Sequence, residues 1–303
     1  MDDFLLQHAP GRPVAIAGSL REARGHIRGA AADLIQVPDG ALEAPWPWRG
    51  EEADVRNGFY RTFELLEVAE GEVRASRVGQ AEPGPAVAPL AANTAARWDL
   101  HGLLAGIGDD ALDKDPGGGE WTVRQTLAHI VNGQRAYGWF TAWWHSRRDA
   151  PADDFPSVVP DDVAAQLPDE STEAPGSIGE IGERLDAIVD LGSEQLGGLD
   201  EEGLAARARW SGMPVTVRFR LGRWSSHMRE HTIQVEKTMQ MLGQQPTEVE
   251  RLVRLVLAAY GRLEASAFLL PEGVSRPGQI VEEAAREART VAAELREAAS
   301  AAA

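Results

Sequence analysis

The chain contains no cysteine. Disulfides, thiolate metal ligands and a cysteine nucleophile are therefore excluded; a metal must be held by His, Asp or Glu, and any thiol must come from outside. Positive charge is scarce too: 30 Lys and Arg stand against 47 Asp and Glu, a net charge of −17. Such a field repels a phosphate backbone and no basic stripe interrupts it, so nucleic acid is not an expected partner. Long apolar runs are missing as well. Nowhere do about 18 apolar residues follow one another, and the acidic start MDDFLLQHAP has no basic segment leading into an apolar one. Together these absences lead to the expectation of a cytoplasmic protein without a membrane partner.

What is present is helical texture. Of the 303 residues, 43% are hydrophobic, ample for a sizeable core. Ile16, Leu20, Ile27 and Leu34 line one face of a helix over 14–36, and Val55, Phe59, Phe63, Leu66 and Val73 do the same over 53–76. A third helix ends near Gly106. Three starts carry the capping-box pattern, Thr122 with Gln125, Ser177 with Glu180 and Thr247 with Glu250. They open helices to about Arg147, Leu196 and Phe268. A further helix runs from Thr216 to just before Gly243, and a last one covers 279–299. The Asp- and Pro-rich stretch 149–176 is a long connection suited to a lid. Only RWSGMPVTVRF hints at extended structure, and Thr216 as a helix cap explains it as well. The expected fold class is all-α. Two helices fall in 1–82, a four-helix up-down bundle in 83–243 and two more helices in 244–303. "WPWRGEEADVRNGFYR" faintly echoes "GGGEWTVRQTLAHIVN", with Arg61 where His129 falls, which raises a second, degenerate bundle built from 12–78 and 245–299.

Histidine placement carries the chemistry. In "RWSSHMREHTIQVEK" His227 and His231 lie four residues apart, on one helical face. His231 falls on the apolar seam of Leu221, Trp224, Met228, Val235 and Leu242. His129 sits in "WTVRQTLAHIVNG" beside the core positions Leu127 and Ile130. Each stands where a bundle calls for leucine, and burying an unpaired imidazole costs free energy. Singly, each is more simply a hydrogen-bonded core histidine; as a trio they can satisfy one another through one metal. Three imidazoles leave an open coordination position, the pattern of a catalytic site. His8 lies in a stretch that reads as a disordered leader, and His26 and His145 are off the apolar stripes or near a helix end; His101, near the end of the third helix, is less easily dismissed. A metallopeptidase of the H-E-x-x-H type needs Glu directly after the first His, and Met228 occupies that place.

The stretch from about 84 to 243 resembles the DinB/YfiT-like superfamily of four-helix bundles, related to mycothiol-dependent maleylpyruvate isomerases and thiol S-transferases. The resemblance rests on "LLAGIGDDALDKDPGGGEWTVRQTLAHI" followed by "HMREH". It implies one divalent metal, zinc or nickel, on His129, His227 and His231, and a low-molecular-weight thiol such as mycothiol as co-substrate. The implied activity is S-transfer or isomerisation of a small electrophile. A metal-dependent hydrolase and a non-catalytic module binding a metal or small ligand are the alternatives.

Around the metal, Gly133 and Ala136 either leave room for a substrate or allow close helix packing. Arg223 and Arg220, four and seven residues before His227, are solvated surface cations or receive a carboxylate of substrate or thiol. Phe140 and Trp143 lie toward the His129 side and are candidate substrate contacts, though an aromatic cluster there is more simply core. Glu230 and Gln234 are candidates to hydrogen-bond and orient the imidazoles. No residue is assigned a catalytic proton transfer. The expected partner is a small molecule, and homodimerisation stays open.

Overall fold

The computed structural model describes residues 3–271 and 273–302. In chain order the helices are α1 (Asp3–His8), α2 (Gly18–Leu34), α3 (Val55–Ser76), α4 (Val87–Leu104), α5 (Val123–Ser146), α6 (Asp161–Ala164), α7 (Ile178–Leu196) and α8 (Glu201–Ala205). After α8 the strands β1 (Arg207–Trp210) and β2 (Met213–Thr216) form a hairpin, followed by α9 (Val217–Met241), α10 (Glu248–Ser266) and α11 (Arg276–Ala302). All three capping boxes form in full, at Thr122, Ser177 and Thr247. Each satisfies two backbone donors that a helix start leaves without partners. Among the described residues no helix is long and apolar enough to cross a membrane.

Two stretches depart from the sequence reading. Residues 3–8 are not a disordered leader: α1 buries Phe4 and Leu5, and Phe4 stacks on Trp139 at 4.9 Å between ring centroids. Phe4 and Leu5 suffice to dock these six residues, too short a helix for a periodicity to register. The all-helical reading of 83–243 also fails locally, at 207–216. There Arg207 pairs with Thr216 and Trp210 with Met213 across a turn through Ser211 and Gly212, both at positive φ. Thr216 does both jobs suggested for it, ending the hairpin and capping α9 through Phe219 N–H.

The chain divides into two compact units. One comprises the chain up to Ala15, Glu82–Thr94 and Gly108–Gly243. Here α5 packs against both α7 and α9. Its core holds Leu127, Ile130 and Val131 with Leu185, Val189, Leu221, Trp224 and Met228. Gly192 lets Trp224 close on α7, since a Cβ there would lie 2.5 Å from the indole.

The other unit comprises Ile16–Ala81, Ala95–Ile107 and the chain from Gln244. In it α11 packs on α2 and α3, and α10 on α3 and α2. Its centre is polar. The Glu264 carboxylate, fully buried, accepts from Arg24 (2.6 and 3.0 Å), Arg97 (3.1 Å) and Trp98 Nε1 (3.0 Å). Burial alone raises the Glu264 pKa, yet Arg24 and Arg97 outweigh it and hold the group below the usual carboxylate range.

One local construction occurs twice. Leu34–Leu42 and Leu104–Leu112 both read L-x-x-[V/I]-x-D-x-A-L. In each, Asp39 or Asp109 opens a 3-10 turn, and the leucine carbonyl then accepts a backbone N–H at 2.9 Å, from Arg56 in α3 or Arg124 in α5. The Asp39 carboxylate accepts from Glu248 N–H at the start of α10, and Asp109 from Ile178 N–H at the start of α7. This register puts Arg61 of α3 where α5 carries His129. Arg61 pairs with Glu64 at 2.6 Å and lines a cavity of about 450 Å³ with Trp48, Glu283 and Glu287.

The Glu264 network sets a stability test. Glu264→Gln removes the carboxylate that two buried guanidiniums share, a loss expected to cost about 3–5 kcal/mol. Urea unfolding of the variant checks it; an unchanged midpoint would show that the arginines find compensation elsewhere.

Candidate metal centre

Two caps set the helical phase that brings the histidines together. Thr122 starts α5 so that His129 turns toward α9, and Thr216 starts α9 so that His227 and His231 turn back toward α5. Their ring centroids lie 5.0 Å (129–227), 4.5 Å (129–231) and 4.4 Å (227–231) apart. One nitrogen from each lies within 4.8 Å of the other two. His129 Nε2 and His227 Nε2 are 3.2 Å apart; two donors on one tetrahedral zinc, with bonds of about 2.0–2.1 Å, sit about 3.3 Å apart.

This approach requires glycine at 133, one turn beyond His129. A Cβ there would fall 2.4 Å from Cε1 of His227. The small residue thus makes room for a ring of the cluster itself.

The hydrogen bonds around the cluster set its protonation. His129 Nδ1 lies 2.9 Å from Glu170 Oε2, and His231 Nδ1 lies 2.7 Å from Gln234 Oε1. A carboxylate and an amide oxygen only accept, so both Nδ1 atoms carry the proton and both Nε2 atoms bear lone pairs. His227 Nδ1 is buried with no hydrogen-bond partner. Burial first, then His231 and His129, drive the His227 pKa down to about 3. Burial lowers His231 as well, partly opposed by Gln234. His227 and His231 are thus held toward the neutral form, the form that binds a metal. These donors suit zinc or nickel.

Two aromatic rings border the cluster, Trp121 at 5.1 Å from His129 and Tyr137 at 5.4 Å from His227. Beyond them the connection between α5 and α7 is fastened along one face of α5. Arg124 Nη1 donates to Ala174 O and Gly176 O, and Asn132 Nδ2 to Pro168 O. Arg135 pairs with buried Glu173 at 2.6 and 3.0 Å. Glu170 is delivered to His129 by this same connection.

Of the residues singled out in the sequence, the structure brings together His129, His227, His231 and Gln234. Glu230 turns instead to Arg223, in a two-point contact at 2.6 and 2.7 Å that occupies that guanidinium. Arg220 is buried; its Nε donates to Thr141 Oγ1 (3.2 Å) and its Nη1 to Arg209 O (2.8 Å). Phe140 packs edge-on to Phe4, and Trp143 packs against Trp144 beneath Arg147. His101 lies against Trp98 in the other unit. Sequence reasoning missed Glu170, Trp121 and Tyr137. One signal for the first was available: Arg124, His129, Asn132 and Arg135 form a polar row on an otherwise buried helix, which calls for a polar covering segment.

An α-helical bundle with three facing imidazoles is the class that fold and site define. Residues 92–235, which contain all three histidines, match the model of the DinB superfamily. No curated protein and no solved structure matches the chain.

The depressed His227 has a measurable consequence. The folded chain leaves it unprotonated down to about pH 3, whereas the unfolded chain protonates it near 6.5. Between these values the unfolded state binds the extra proton, so stability falls as pH falls. Urea midpoints of the metal-free chain are expected to drop from pH 6.5 downward, and His227→Gln to flatten that drop. An equal slope in the variant would place the acid sensitivity elsewhere.

Proposed function

We propose that His129, His227 and His231 hold one divalent ion, zinc or nickel, in a centre that serves thiol-dependent S-transfer to, or isomerisation of, a small electrophile. The observation that carries the metal is the cluster itself, in which one nitrogen of each ring lies within 4.8 Å of the other two. Glu170 and Gln234 bind the Nδ1 side of His129 and His231, which leaves the Nε2 of each neutral ring available to a cation. When bound, such an ion lowers the pKa of a thiol at its open position and keeps it as thiolate at neutral pH.

The chain's own residues do the rest. Three imidazoles leave a coordination position for the thiol. Trp121 and Tyr137 wall the centre, and the connection fastened by Arg124, Asn132 and Arg135 covers the His129 side. The thiol rests on the superfamily's relation to mycothiol-dependent enzymes and accords with a chain that has no cysteine of its own.

Elemental analysis is expected to find one ion per chain in the wild type and none in His129→Ala; equal metal in both sinks the assignment. Glu170→Ala, which frees the His129 proton, is expected to weaken metal affinity by about 10–100-fold in a chelator competition. Calorimetry then separates the chemistries. Metal-loaded protein should bind a low-molecular-weight thiol, and His129→Ala should not. If no thiol binds at millimolar concentration, a metal-dependent hydrolase or a non-catalytic binding module replaces the transferase.

A further inference from the structure

Four arginines are buried among the described residues: Arg24, Arg97, Arg135 and Arg220. Arg24 and Arg97 pair with Glu264, and Arg135 pairs with Glu173. Arg220 pairs with no carboxylate among the described residues. There its side chain hydrogen-bonds the Thr141 hydroxyl and the Arg209 carbonyl, both neutral. Burial pushes its pKa down to about 10. An unpaired charge away from water is costly, and in a chain with 47 carboxylates the missing partner does not reflect a shortage.

Two more arginines lie on the hairpin that Arg220 contacts through the Arg209 carbonyl. Arg207 and Arg209 alternate along β1 and so share one face of the hairpin. Both reach over the Phe155 ring, at 4.0 and 5.9 Å from its centroid. Arg207 donates to Ala150 O, and Arg209 makes no side-chain hydrogen bond to any described residue. The Nε atoms of both are buried without a partner, and neither pairs with a carboxylate. Three unmatched cations thus gather on the hairpin and the first turn of α9. The Arg220 guanidinium lies 5.8 Å from the Tyr137 ring centroid, and His227 also borders that ring, at 5.4 Å between centroids.

We infer that Arg207, Arg209 and Arg220 form an oxyanion site, which receives a carboxylate or phosphate of the small molecule that reacts at the three-histidine centre. Guanidiniums bind both groups in two-point contacts. The site would define the substrate or the thiol co-substrate as anionic, in spite of the protein's own negative charge. Cations confined to one pocket of an acidic molecule also favour the anion that fits over anions at large. This inference deepens the proposed function and rests on that reading for its link to the metal, but the oxyanion site stands by itself.

The test is calorimetric titration of the full chain, without metal, with succinate and separately with inorganic phosphate. The wild type is expected to bind at least one of them in the millimolar range or tighter, and the tighter of the two names the oxyanion. Arg209→Gln, on a partly exposed strand and safe for folding, should weaken that binding at least tenfold; Arg220→Gln should abolish it if the variant folds. His129→Ala should bind the anion as the wild type does, which separates this inference from the metal assignment. Absence of binding of both probes at 10 mM, or equal affinity in Arg209→Gln, overturns the site. Cobalt-loaded protein tests the link. Saturating anion should shift its visible absorption, and an unmoved spectrum on a protein that binds the anion overturns the connection to the centre.

Discussion

Three imidazoles are held with one nitrogen of each within 4.8 Å of the other two, and much of the DinB-like segment is arranged to keep them there. Thr122 and Thr216 set the helical phase, Gly133 lets His227 come within reach, and Glu170 and Gln234 hold the protons at the back of the rings. Each device is local and inexpensive by itself. Their agreement on one point in space is what a hydrophobic core alone does not produce, since packing rewards filled volume and is indifferent to where a nitrogen lone pair points.

The same segment treats its cations unevenly. Arg135 and Arg124 are spent on fastening the connection that carries Glu170, and Arg223 is held by Glu230. Arg220 sits deeper than Arg124 or Arg223 yet is given only neutral acceptors. The buried arginines Arg24, Arg97 and Arg135 each come with a carboxylate, whereas buried Arg220 lies one ring away from His227.

Much of this was legible in the sequence because it is periodic or local. Apolar stripes set the helices, capping boxes set their starts, and histidines at positions where leucine belongs marked the cluster. What stayed hidden depends on contacts between distant stretches. Glu170 is one acid in an acidic connection, and nothing in its neighbours says that it folds back forty-one residues to His129. Arg220 and Arg223 share a helix and a composition; only the direction of Glu230 tells them apart. The hairpin at 207–216 escaped because a cap residue and a strand end can be the same threonine, and α1 because a single docked turn leaves no period to read.

The order of elements has a consequence for how the chain matures. The unit built on α2, α3, α10 and α11 is interrupted by the whole of α5–α9, so its first two helices emerge with Leu20, Ile27, Phe59 and Leu66 in need of cover that is not yet synthesised. Most of the interrupting unit, Gly108–Gly243, is one continuous stretch, while the interrupted unit must bring its halves together across it. During synthesis the pair α2–α3 is therefore the sticky, waiting part of the molecule. Helpers that shield apolar surface would find their business there, far from the histidines, and a lesion in α10 or α11 would be felt first as aggregation of the amino-terminal helices.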